Sequence, residues 1–497
     1  MTPVRVAPLA PATGTCRVGA ASVVLHEPAD HQGHMCGYAI ASKPIRRPRP
    51  GDLTAPLRAQ VLVVEGPDGA RVAFVATDLW GPSAWMLVQV GNALAATDHL
   101  DAGRIVLSAT HTHSGPGGYF GNELWNRAPS TLGGPAHTDL RAQLTQRLLA
   151  GIRAACADLA AGTVAVGVVP RVLGGANRSL PAFRANRNAD LRAFRAVMGP
   201  APTPEESAVD GRLTALCAFR GSTLRAVFAT WACHATTLGQ KQDCIHPDWP
   251  GRVHAAAGFG PHTVLGLAQG AAGDVSPLPV AELRAGGQNA AQHQGLQLAD
   301  TVAASVGNAL RTVLAGVTPT PTSVRTRWTT WVPPVRHQLG PQAAGGAEDY
   351  RSCVAGWRQC GEGNREESLP DSAQWPKRRP RGGIAMALGT LHRAEGPAAL
   401  PLHQVEVAGH RWVTLPGEPT GVAAHCLERD FTGPTTVVGY AGEYAGYLTT
   451  HGEYATQHYE GAMTVYGRDS LRQLRDRHED LAAGTAPAPT SWTFSVP

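Results

Sequence analysis

The run Arg104-Ile-Val-Leu-Ser-Ala-Thr-His111-Thr-His113-Ser114-Gly-Pro-Gly-Gly118 constrains this chain more than any other stretch. An apolar segment with the composition of a buried strand ends in two histidines one residue apart, and a Gly/Pro turn follows at once. Successive strand side chains alternate faces, so a strand continued through this pair puts His111 and His113 on one face. Strand ends that open into loops are where α/β proteins place chemistry. Imidazoles there bind a metal or move protons near neutral pH. Two further apolar runs end on metal-ligand side chains: Ala226–Cys233 before His234, and Val413–Leu415 before Glu418. Three strand ends can meet at one point although more than a hundred residues separate them.

The rest of the pattern supplies a scaffold for such ends. Val-rich runs at 59–65 and 71–79 flank Gly66-Pro67-Asp68-Gly69, a hairpin signal. Residues 138–161 and Leu283 to Leu314 carry Ala/Leu-rich helical spacing, and short apolar strands fall at 163–169, 213–219, 224–231 and 263–267. Strands interleaved with helices predict an α/β fold: one layered catalytic domain of mixed sheets flanked by helices. Residues 317–400 turn Pro-, Gly-, Arg- and Trp-rich, with little periodicity from about 333 to 383, as an insertion on that domain would. Strand-like segments return over 403–467, and a charged helix is expected over Asp469–Leu481. The expected organisation is an N-terminal extension (1–16), a single domain (17–481) and a Pro/Ala tail (482–497).

Composition narrows the class of function. With 43% hydrophobic and 16% charged residues, a 497-residue chain can bury a large core. A net charge of +5 is mild, and the basic runs Arg46-Arg47-Pro-Arg49 and Lys377-Arg-Arg-Pro-Arg381 are broken by proline. They read as solvated loops and argue against a nucleic-acid partner. The nine cysteines include no CxxC pair, so neither a disulfide framework nor a thiolate zinc site is indicated. No run of 18 apolar residues is present, which predicts no transmembrane segment. Residues 1–15 lack the pattern of a secretory signal, so the expected location is cytoplasmic.

Thr110-His-Thr-His-Ser-Gly-Pro-Gly-Gly118 resembles the signature of the neutral/alkaline, non-lysosomal ceramidases, which are zinc amidases. Further segments follow in the same order: Asn177-Arg178-Ser179, Thr230-Trp-Ala-Cys-His234, Gly273-Asp274-Val-Ser276-Pro277, Pro416-Gly-Glu418, and Tyr447-Leu-Thr-Thr with Tyr459 twelve residues later. Arg17-Val-Gly-Ala and Gly37-Tyr38-Ala also fit, so the resemblance runs from about residue 17 to about 467. It implies Zn2+ held by His111, His234, Glu418 and Tyr447. Sequence alone does not choose Tyr447 among Tyr440, Tyr444, Tyr454 and Tyr459. It also implies His113, Arg178 and Tyr459 as donors to the reacting carbonyl, with Ser276 beside the metal. No GxSxG occurs, so Ser276 reads as a substrate-positioning hydroxyl rather than an acyl-carrying nucleophile. Asp248 is expected to orient a ligand. Asp274 fits that role or turn chemistry. The implied reaction is hydrolysis of an N-acyl amide, ceramide or a related lipid or small molecule. An alternative is a zinc esterase or an acyl-transfer or cyclising enzyme of a biosynthetic pathway. Ala271 and Leu278 stand where the family has asparagines around GDVSP, and Pro419 follows Glu418 where the family has an aromatic or aliphatic residue; these departures loosen the substrate. Relatives carry a further immunoglobulin-like domain, expected to be absent here.

Overall fold

A computed structural model describes residues 4–5, 16–127, 136–333 and 396–489, apart from 32, 39–46, 50, 52, 240–241, 285–290, 320, 457–458 and 465. Its main sheet is built from β1 (Cys16–His26), β2 (Leu57–Glu65), β3 (Arg71–Thr77), β4 (Ile105–Ala109), β5 (Ala160–Val169), β6 (Leu213–Arg220), β7 (Thr223–Trp231) and β8 (Val264–Gln269). The strand order is β8-β7-β6-β5-β1-β2-β3-β4, with the two-residue strand Val4–Arg5 beside β5. The β2–β3 hairpin turns through Pro67-Asp68-Gly69, as the sequence predicts. β3–β4 and β7–β8 are parallel and the other pairs along this path antiparallel, which makes the sheet mixed.

Alternation along the strands explains the layering. Ala59, Val61, Val63, Ala73 and Val75 point to α1 (Ala84–Asp98) and α2 (Thr138–Ala157), meeting Met86, Val90, Leu144, Leu148 and Ile152. The other face of the same strands carries Leu62, Val64, Val72, Phe74 and Ala76. That face closes on Leu216, Phe228 and Ala268, because the sheet curls until β8 packs across β2, β3 and β4. A four-stranded sheet closes the curl: β9 (Val324–Trp331), β10 (Leu400–Val407), β11 (His410–Thr414) and β12 (Thr435–Val438). Phe74 sits between Phe228 and Trp412 at ring-centre distances of 4.9 and 5.4 Å, joining the layers. Helix α4 (Ala291–Gly316) covers the far side of β6 and β7. Beyond α3 (Asn188–Met198), α5 (Gly421–Glu428) and α6 (Ser470–Ala483) complete the helices used below.

The architecture is the mixed α/β one expected. The segment 317–400 opens with a regular strand, since β9 pairs antiparallel with β10 along its whole length; residues 334–395 lie outside the described residues. No described helix is long and apolar enough to cross a membrane.

Candidate metal centre

β4 stops at Ala109 rather than running through the histidines, and His111 adopts φ 62°. A left-handed non-glycine residue is strained and persists only where its surroundings hold it. Asp248 (φ 61°) and Tyr440 (φ 48°), both near this centre, share the trait. The His111 N–H donates to Leu79 O at 3.0 Å, and its Nδ1 faces Trp80 O at 2.5 Å. A carbonyl only accepts, so Nδ1 carries the proton and the Nε2 lone pair points inward. His234, in the turn after β7, is fixed in the same way: Nδ1 faces Ala272 O at 2.7 Å and Val275 O at 3.1 Å.

Glu418 reaches these two rings through a two-residue parallel ladder that sets it opposite Tyr447. Its Oε1 lies 3.4 Å from His111 Nε2 and its Oε2 lies 3.0 Å from His234 Nε2. Burial by itself pushes this carboxyl up, but His111, His234 and the Tyr444 hydroxyl more than offset that and hold it at about 2. Burial drives His111 down to about 3, against the pull of Glu418. With both Nδ1 atoms turned to backbone carbonyls, the Nε2 atoms of His111 and His234 face the Glu418 carboxylate. Ligand atoms gathered this closely from three separate segments are a set that a cation between them would satisfy. The nitrogen and oxygen donors, with no thiolate, are those zinc takes. The ligand atoms of His111, His113 and His234 all lie within 4.8 Å of one another, so the residues present fit a zinc ion.

His113 enters the cluster differently. Its Nε2 is 3.0 Å from His111 Nε2, and because the His111 proton sits on Nδ1, the hydrogen in that contact belongs to His113. The ring meets Tyr38 edge-on at 4.7 Å. Gly37, at φ 113°, leaves no room for a side chain: a Cβ there would stand 2.6 Å from His113 Cβ.

On the other side, a two-residue antiparallel ladder joins Ala176–Asn177 to Val275–Ser276 and so brings Arg178 and Ser276 together. Arg178 is 3% exposed; its Nη2 donates to the Tyr447 hydroxyl and to Gly273 O, each at 2.8 Å, and its Nε to Glu460 Oε1 at 3.1 Å. The guanidinium also lies 5.2 Å from the Tyr459 ring centre, and Tyr447 and Tyr459 pack at 5.3 Å. Ser276 is fully buried and its Oγ accepts Leu278 N–H at 3.2 Å.

Asp274 accepts from Asn177 Nδ2 (2.7 Å) and Gly421 N–H (3.1 Å), tying α5 to the ladder. Asp248 touches neither imidazole. It accepts from Thr237 Oγ1 (2.7 Å) and the backbone of Leu238 and Trp249, holding the loop after His234, and Trp249 Nε1 donates to His234 O. Orientation of the rings falls instead to the carbonyls of Trp80, Ala272 and Val275.

The seven residues expected as ligands or donors, together with Ser276, thus come to one region. Two partners of Glu418 did not stand out in the sequence: Tyr440 donates to Oε2 at 3.0 Å and Tyr444 to Oε1. Their only signal was the clustering of tyrosines over 440–447. Ala271 and Leu278, the departures around GDVSP, are packed in hydrophobic clusters.

The family model described as neutral/alkaline non-lysosomal ceramidase, N-terminal, matches residues 30–291 and 397–476. The chain belongs to this ceramidase family. Among curated relatives, the neutral ceramidase of Mycobacterium tuberculosis is 26% identical over 88% of this chain and 75% of its own length. That of Pseudomonas aeruginosa is 26% identical over 85% of this chain, which spans 65% of that protein. The crystal structure of the Pseudomonas neutral ceramidase superposes with a TM-score of 0.72 at 21% identity, covering 97% of this chain and 76% of that one. A ceramidase complexed with C2 gives a TM-score of 0.71 at 20% identity, covering 97% and 78%. The two solved structures share the ceramidase fold with this chain.

Proposed function

We propose that this ceramidase-family chain is a zinc-dependent amidohydrolase that cleaves an N-acyl amide, with N-acylsphingosines the first substrates in line. The observation that carries the reading is the convergence of the His111 and His234 Nε2 atoms on the Glu418 carboxylate, at 3.4 and 3.0 Å. These residues, with Tyr447, would hold the metal. When bound, zinc supplies Lewis acidity, making water nucleophilic near neutral pH and polarising the carbonyl.

The remaining work falls to the chain. Arg178 and Tyr459 would donate to the carbonyl oxygen as it gains charge. His113 carries an Nε2 hydrogen at the centre, where it can pass to the departing amine as the C–N bond breaks. Ser276 orients the substrate, and water provides the nucleophilic oxygen. Elemental analysis of protein purified without added metal should give about one zinc per chain, with fatty acid and amine released from N-acylsphingosine in equal amounts. Zinc near zero after reconstitution overturns the metal assignment. Turnover of esters with none of amides overturns the amidase assignment in favour of the esterase alternative.

A further inference from the structure

Where the curled sheet meets itself, β8 crosses β2 and β3 without hydrogen bonding to them, and a cleft of about 590 Å3 remains along the seam. Its floor is made of Gln60, Ala76, Asp78 and Thr110, and its walls of Pro247, Pro250, Val264 and neighbouring leucines. Thr110 and His111 are adjacent in sequence, yet Thr110 lines this cleft while His111 faces the metal centre. Volume and lining fall in the range of small-molecule sites.

Two acceptor groups on the floor, the Asp78 carboxylate and Gln60 Oε1, are incompletely answered. Asp78 is 9% exposed; its Oδ2 takes the Arg58 N–H at 2.9 Å and its Oδ1 only a long contact of 3.4 Å from Thr110 Oγ1. Gln60 Oε1 is buried and has no hydrogen-bond partner. A buried acceptor left unsatisfied is costly, and such groups are normally answered by a donor. The charged and titratable side chains facing the cleft besides Asp78 are Arg58, which reaches out to Ser22 Oγ at 3.3 Å, and His254, bonded to Thr263 O at 2.9 Å. Neither answers Gln60. Desolvation raises the Asp78 carboxyl to about 7, so a cation beside it would be matched by ionisation at little cost.

We propose that the seam cleft is a second binding site, separate from the metal centre, for a small organic ammonium: its N–H groups meet Asp78 and Gln60 Oε1 and its apolar body lies on the proline and aliphatic walls. n-Butylammonium is a suitable probe. For a ligand of so few atoms the dissociation constant should be on the order of millimolar. Thermal-shift titration of the full chain should show a saturable rise in Tm. n-Butanol, the neutral isostere, should bind at least about tenfold more weakly, as should n-butylammonium to Asp78→Asn or Gln60→Leu. His111→Ala, which removes no group that lines the cleft, should keep the shift, so this site and the zinc reading stand or fall separately. No saturable shift in the parent chain, or equal shifts for butanol and butylammonium, overturns the proposal even if the Asp78 variant fails to fold. An undiminished shift in a folded Gln60→Leu variant overturns it as well.

Discussion

At the scale of single residues, the tyrosines around Glu418 matter as much as the ligands. A carboxylate that accepts from Tyr440 and Tyr444 has both oxygens fixed before any metal arrives. Tyr444→Phe should therefore weaken zinc binding by about 10–100-fold while leaving the fold intact, measured by competition with a chromophoric chelator. Unchanged affinity would show that the hydroxyl only fills space. His234→Ala should abolish both zinc binding and turnover, and a variant that keeps one zinc per chain would falsify its place among the ligands. Gly37→Ala tests the other flank. The new Cβ would stand against His113 at a backbone φ of 113°, so turnover should fall by about 10²-fold with zinc retained. His111, His234 and Glu418 were legible in the sequence because each ends an apolar run. The left-handed turn at His111 was not, since nothing local marks it; the backbone is held there by Leu79 and Trp80, about 30 residues upstream. Nor could spacing tell which of three tyrosines within eight residues reach the carboxylate, because that depends on the ladder pairing Glu418 with Tyr447.

Among the elements, helix α6 shows how a late segment is tied to the sheet. His478 is fully buried beneath it; its Nε2 donates to Thr414 O at 2.9 Å, and Gln404 Nε2 donates to His478 O at 2.6 Å. Burial pushes His478 down to about 4, with His403 adding a smaller push the same way. The unfolded chain takes up this proton near pH 6.5, the folded chain only near 4, so the stability involved is complete above about 6.5 and lost as pH falls through 4. Its size is about 3 kcal/mol, from roughly 2.5 pH units at 1.36 kcal/mol each. His478→Gln should consequently lose less Tm than the parent between pH 7 and 4; superimposable acid profiles would remove His478 from the account. The helix itself was expected from its charged 3.6-residue pattern. β9 was not, and its composition explains why: Arg325 and Arg327 alternate with Val324, Thr326 and Trp328 on an edge strand whose outer face meets solvent. Arginine and tryptophan there masked a period-2 signal.

For the molecule as a whole, the proposed metal centre would cross-link the layers. His111 follows β4, His234 follows β7, and Glu418 follows β11 of the second sheet. Stripping zinc should leave a buried carboxylate facing two lone pairs and should lower Tm, by the equivalent of about 2.7 kcal/mol if free zinc had stood at 100 times its dissociation constant. Calorimetry before and after dialysis against a chelator reads this directly; an unchanged Tm would mean the layers hold without the ion. The spread of these residues along the chain also sets a clock during synthesis. His111 leaves the ribosome about 300 residues ahead of Glu418, an interval of roughly 15–60 s at ordinary elongation rates. His234 follows His111 partway through that interval, but until Glu418 emerges the imidazoles have no carboxylate between them and a nascent chain cannot close the site. Capture of the proposed zinc by the full set would in this way wait until the last sheet has been made, and a chain cut short before Glu418 would carry the histidines of the centre without the centre.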